Sequence, residues 1–218
     1  LAACDARDGL KDGLIDDPRQ CRFDPAVLLC KQGDDASCLT APQVAAVKQI
    51  YSNAVNPRTK QELFSSFVPG SELGWGVQAA GPDVQAMTYD QYRYVVFKDP
   101  NWDWKTFDFD KDVAKGDQPE NLIMNATNPD MQKFFARGGK VIMYHGWSDS
   151  LVPPPNTIKY YDQVREVLQT SAKFRAMNPV DQVRTIVRTV RDSADAPTAN
   201  VNGLRAVRGA MAWVAGHE

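Results

Sequence analysis

Four cysteines, Cys4, Cys21, Cys30 and Cys38, fall within the first 38 of 218 residues, and the rest of the chain has none. Four cysteines allow three pairings. Their clustering predicts short loops closed by local disulfides, which requires an oxidising compartment. The competing use is a zinc site, but no C-x-x-C pair and no nearby His supports one. Residues 1–38 are otherwise rich in Asp and Gly and poor in periodicity. They read as an irregular region held by cross-links rather than by a repeating hydrophobic face.

The chain as a whole has the balance of a globular protein, with 43% hydrophobic and 24% charged residues. The net charge of −2 gives no electrostatic reason to expect nucleic acid as a partner. No apolar run approaches the roughly 18 residues that suggest a membrane span. The chain opens at Leu1-Ala2-Ala3-Cys4, with neither an initiator Met nor a basic leader, and reads as a processed or excised product.

Thr40 and Gln43 have the spacing of a capping box, and Val44, Val47 and Ile50 follow at helical intervals, predicting a helix over 41–52. Residues 53–125 are punctuated by proline and dense in aromatic side chains, which predicts short helices and turns. Asn128-Pro129 reads as a helix start, Met131, Phe134 and Phe135 as its apolar face, and Gly138-Gly139 as its end. Lys140 to Tyr144 then reads as a short buried strand, followed by the loop His145-Gly146-Trp147-Ser148-Asp149. A second helix resumes near Asn156, with Ile158, Tyr161, Val164 and Leu168 on one side. Helix, strand, loop, helix is a fragment of a parallel α/β sheet. In such sheets ligands gather at the carboxyl ends of strands, where the loop 145–151 lies. The last 45 residues have less pattern: Arg184, Arg188 and Arg191 interrupt β-branched residues, and 203–214 reads as a closing helix.

Two segments carry chemistry. In residues 4–17, CDARDGLKDGLIDD, three carboxylates (Asp5, Asp8, Asp12) crowd within eight residues, with Gly9 and Gly13 between them. Calcium takes six to eight hard oxygen ligands, from carboxylates and backbone carbonyls. Close glycines let a chain curl so that carbonyls face the same centre. On spacing alone a calcium loop and a solvated acidic loop stand equal, and the spacing is not that of an EF-hand. In the second segment Asp149 follows a strand, where an acid can serve a catalytic triad or simply cap the next turn.

The run C-D-A-x-D-G-x-x-D-G-x-x-D resembles the calcium loop in the lid domain of the tannase and feruloyl esterase family, whose relatives include mono(hydroxyethyl) terephthalate hydrolase. The segment from Gly138 to Asp149 resembles that family's G-G-K, apolar strand, Y-H-G-W/M-x-D pattern. Residues 38–51, 69–75 and 97–110 add to the likeness, which runs from about residue 4 to about 168. The resemblance implies a partial α/β-hydrolase: a mostly helical, disulfide- and calcium-stabilised lid over 1–127, and the C-terminal part of a catalytic domain over 128–218. It implies calcium ligands from the side chains of Asp5, Asp8 and Asp12 and the carbonyls of Leu10 and Leu14. It pairs Cys4 with Cys21 and Cys30 with Cys38. It makes Asp149 the acid of a Ser-His-Asp triad and leaves His145 without the role of base. The implied activity is serine-dependent hydrolysis of small aromatic-acid esters by a secreted or periplasmic enzyme, with Trp75, Trp102 or Trp104 flanking the ring.

The family's nucleophile segment, G-C-S-x-G-G, has no counterpart here. Where its base segment, P-G-M-x-H-C, is due after Arg188, the sequence reads Arg191-Asp192-Ser193-Ala194-Asp195-Ala196-Pro197. His217 stands at the extreme end and is not assigned as base. The expectation is therefore a chain inactive alone, partnered by the remainder of a parent catalytic domain. A non-catalytic, calcium-stabilised binding module is the alternative.

Overall fold

The computed structural model describes residues 1–31, 33, 36–76, 86–123, 125–170 and 183–188. The closing helix read over 203–214, and His217, lie outside them.

The N-terminal region is irregular, as its composition requires. Short 3-10 turns at Asp5–Asp8, Pro18–Gln20 and Pro25–Leu28 are linked by extended chain. Two disulfides close it, Cys4–Cys21 and Cys30–Cys38. They select one of the three pairings and exclude zinc thiolates. Cys4, Cys21 and Ile15 are buried together with Phe23 against them, a small core built around the first bridge.

Helix α1, Ala41–Ile50, begins where the capping box places it: the Thr40 amide donates to Gln43 Oε1 at 2.7 Å. A short antiparallel pair follows, β1 (Ala54–Val55) with β2 (Glu62–Phe64). Asn56 organises the turn between them, its Oδ1 accepting from the amides of Arg58 and Thr59. Helix α2, Ala86–Asp90, runs into a π-helical stretch, Gln91–Val96. The wider turn brings Tyr92 and Phe97 against Trp102 and Phe107. Helix α3 is Lys111–Gly116.

The expected helix from Asn128 is much shorter. Helix α4 spans only Gln132–Phe135. Asn128 and Asp130 each accept from the amide two residues on, so successive side-chain turns replace one cap and delay the helix. Of the two phenylalanines only Phe135 is buried, with Phe134 43% exposed. Gly138 ends the segment at φ +80°, a conformation that costs glycine little.

Strand β3, Val141–Gly146, pairs in parallel with β4, Val183–Arg188, in the register Val141 to Val183 through Gly146 to Arg188. Between them runs helix α5, Pro155–Thr170, with proline at its first position. This βαβ unit realises the expected parallel sheet fragment. The strand is not fully buried. Val141 and Met143 pack under α5 with Phe135, Val164 and Leu168. Ile142 and Tyr144 point the other way and are exposed, 49% and 75%. With side chains alternating across a strand, one face has a helix over it and the other has none among the described residues.

Candidate active site

The loop after β3 holds Asp149. The turn closes when the Asp149 amide donates to the Gly146 carbonyl at 3.2 Å. Asp149 Oδ1 accepts from the amides of Leu151 and Val152, at 2.8 and 2.9 Å. Oδ2 meets His145 Nε2 at 3.1 Å. Burial pushes the Asp149 carboxyl up, but the Val152 and Leu151 amides and the His145 imidazole outweigh it, and the group sits below its ordinary value. It is an anion throughout the neutral range. Its side chain keeps 35% of its exposure. A carboxylate offers about four acceptor positions, so Oδ2 retains capacity for a second donor from solvent or from another imidazole.

His145, which the motif leaves without the role of base, is held against this acid by its side chain. Its Nδ1 lies 2.6 Å from Thr157 Oγ1 in the first turn of α5. The i, i+4 spacing of His145 and Asp149 was the available signal. Thr157, twelve residues on, gave none.

The loop is gripped from the N-terminal side. Trp147 is 4% exposed, and the Arg19 guanidinium lies over its ring at 5.1 Å from the centroid. Asp17 orients that guanidinium with two hydrogen bonds, at 2.7 and 2.8 Å. Gly74 sits against Ser150 so closely that a Cβ there would fall 2.3 Å from Ser150 Oγ. The Ser65 amide donates to Asn156 Oδ1 at 3.1 Å, and Lys159 pairs with Glu62. Pro18, Ser71, Pro153 and Pro154 are fully buried.

In the acidic loop Asp5 is 6% exposed, with Oδ1 accepting from the amides of Asp12 and Gly13. Asp12 Oδ1 accepts from the Leu14 amide. Gly9 and Gly13 take positive φ, +94° and +81°, which gives the curl expected of them. Leu10 is exposed and Leu14 half-buried. The side chain of Asp8 lies outside the described residues, and among those described no three carboxylate, imidazole or thiol groups converge.

The three tryptophans expected to flank the substrate ring make different contacts. Trp75 follows Gly74, packs edge-on to Tyr51 at 5.3 Å and donates from Nε1 to Ser71 Oγ. Trp102 stacks with Phe97, Tyr92 and Tyr89. Trp104 is half-buried, with Lys105 over its ring.

Residues 1–214 match the family described as tannase and feruloyl esterase. An uncharacterized esterase of Xanthomonas campestris is 36% identical over 209 residues, covering 86% of this chain and 36% of its own length. A probable feruloyl esterase B-2 of Aspergillus terreus is 35% identical over 170 residues, 77% of this chain and 32% of that protein. The crystal structure of feruloyl esterase B from Aspergillus oryzae superposes with a TM-score of 0.74 at 31% identity, over 85% of this chain and 36% of that one. The chain thus spans about a third of the length of these relatives. Among the described residues no helix is long and apolar enough to cross a membrane.

Proposed function

Since the chain belongs to the tannase and feruloyl esterase family, we propose that it works within a serine-dependent carboxylic ester hydrolase and supplies the acid of its triad, Asp149. The observation that carries this reading is the Asp149 carboxylate: anionic, fixed at one oxygen by two amides, and part-exposed at the end of a parallel strand. Such a group orients an imidazole and stabilises its charged form while that base takes the proton of a serine. Serine and base come, in this proposal, from residues beyond these 218. An acyl-enzyme forms and water releases the acid. The substrates are small esters of aromatic acids, a class supported by the names of the Aspergillus relatives. Trp75 is the best placed of the three tryptophans to meet the ring, because its neighbour Gly74 abuts the acid loop. The N-terminal region acts as a lid, and its disulfides suit a secreted or periplasmic protein.

In the whole protein, Asp149→Asn is expected to lower kcat on an aromatic methyl ester by roughly 10⁴-fold with little change in KM. Activity within tenfold of wild type would remove Asp149 from the chemistry.

The acidic loop fits a structural calcium ion: a buried carboxylate, further hard oxygens, and two glycines in left-handed conformations. Asp5, Asp8 and Asp12 and the carbonyls of Leu10 and Leu14 would hold it. When bound, the ion supplies charge and coordination to the loop and no step of the reaction. Calorimetric titration of metal-free protein is expected to show one calcium per chain and a raised melting temperature, both lost in Asp5→Asn. Absence of binding in the unsubstituted protein would overturn the calcium reading.

A further inference from the structure

We infer that His145 is a positioning residue for the acid and that Thr157 fixes the tautomer in which it acts. The inference rests on the reading of Asp149 as the triad acid. A catalytic base needs one ring nitrogen on the acid and the other open toward the nucleophile. His145 has neither free: Nε2 is 3.1 Å from Asp149 Oδ2 and Nδ1 is 2.6 Å from Thr157 Oγ1. Only 12% of its side chain is exposed. An ionised carboxylate only accepts, so the proton between His145 and Asp149 belongs to Nε2. Thr157 is rooted in α5 and its hydroxyl can donate to Nδ1, the arrangement that matches a ring hydrogen on Nε2.

This changes what Asp149 can do. Its Oδ1 is pinned by two amides of the same turn. Two bonds to one oxygen leave the carboxylate free to rock about that oxygen. The third bond, to Oδ2, sets the plane of the group and so the direction of the remaining Oδ2 lone pair. Because His145 lies in the last two residues of β3 and Thr157 in the first turn of α5, the plane is referenced to the strand and the helix rather than to the loop alone. A site built on rigid elements holds its geometry better than one built on a loop, and a displacement of about 1 Å can cost about 10²-fold in rate.

A strand-end histidine that merely satisfied its own nitrogens would alter stability when replaced, and not turnover. The test therefore separates the two in the whole protein, using an aromatic methyl ester. His145→Leu removes the donor. His145→Gln keeps an N–H at similar reach. Thr157→Val removes the hydroxyl at equal shape, and Thr157→Ser restores it. His145→Leu and Thr157→Val are expected to lower kcat, the first by about 10²-fold, with KM within a factor of three. Gln and Ser are expected to recover most of each loss. Asp149→Asn runs alongside. If Asp149→Asn is inactive while a folded His145→Leu and Thr157→Val both turn over as wild type, the positioning inference falls and the acid stands. If Asp149→Asn is itself active, the acid reading falls first. Should His145→Leu fail to fold, Thr157→Val against Thr157→Ser decides: equal kcat in the two overturns the inference.

Discussion

The two disulfides differ in what they hold, and removing them separately should show it. The bridge Cys4–Cys21 closes a separation of 17 residues and Cys30–Cys38 one of 8. On the chain-entropy account these loops correspond to about 3 and about 2.5 kcal/mol of stabilisation through the unfolded state. Entropy alone barely distinguishes them. Burial does. Cys4 and Cys21 are 3% and 8% exposed and form a core with Ile15 and Phe23, whereas Cys30 and Cys38 are only half-buried. Alanine at 4 and 21 deletes two packed sulfur atoms, each costing about 1 kcal/mol in transfer and cavity terms. The Cys4→Ala/Cys21→Ala variant should therefore lose about 5 kcal/mol and Cys30→Ala/Cys38→Ala about 2.5 kcal/mol. Urea unfolding followed by circular dichroism, at one fixed calcium concentration, measures both. The first ring also encloses Asp5, Asp8 and Asp12 and the second does not, so calcium affinity should fall only in the first variant. Equal losses, or a larger loss from the second bridge, would refute the burial reasoning.

Two further outcomes follow from the seam around the acid loop, and a third from a glycine outside it. Asp17 is held down to about 2, first by its hydrogen bonds to the Arg19 side chain, against the opposing effect of burial. A depressed carboxyl contributes stability that is present above its unfolded value, about 3.9, and lost as pH falls through about 2. The stability gap between wild type and Asp17→Asn should close between those two values, and a gap independent of pH there would contradict the pairing. Gly74→Ala should destabilise by about 1–3 kcal/mol, because the new methyl meets both Oγ and Cβ of Ser150. Gly139→Ala also makes a short contact, 2.5 Å to the ring of Phe134, but Phe134 is 43% exposed and can swing away. Its thermal melt should stay near wild type.

What was legible in the sequence was local. The capping box at Thr40 and Gln43 and the apolar stripe of Val164 and Leu168 depend on neighbours three to eight residues away, and both appear as read. Strand β3 was legible as the apolar run from Lys140 to Tyr144, although it continues through His145 and Gly146, which read as loop; such a run does not say how many faces are covered, and Ile142 and Tyr144 proved open. Strand β4 was not legible. Its partner lies about forty residues upstream, and Arg184 and Arg188 break the apolar run that would have marked it. The start of α4 failed for a different reason: Asn128 and Asp130 satisfy the backbone locally and so compete with the helix they precede. The cysteine pairing needed the family likeness, because clustering leaves three possibilities open. Asp149 was readable from its motif, and the partners of its imidazole neighbour were not, since a contact from strand end to helix start has no fixed spacing.

The placement of those contacts bears on how the acid is held. The turn at Asp149 is defined by its own amides and by His145. Contacts reach residues 147–159 from three distant N-terminal stretches: Arg19 on Trp147, Gly74 on Ser150, and Glu62 and Ser65 on Lys159 and Asn156. The first stretch lies inside the ring closed by Cys4 and Cys21, as does the acidic loop. Arg19 is in turn held by Asp17 within the same ring. A cross-link or an ion that stiffens this ring therefore stiffens the support of Trp147, two residues before the acid. In the proposed enzyme, loosening the ring should be felt in turnover before it is felt in substrate binding, because orientation of a triad acid matters most as charge develops on the imidazole. The disulfide-bonded segment thus supports the acid loop through Arg19 on Trp147, although more than a hundred residues separate them in sequence.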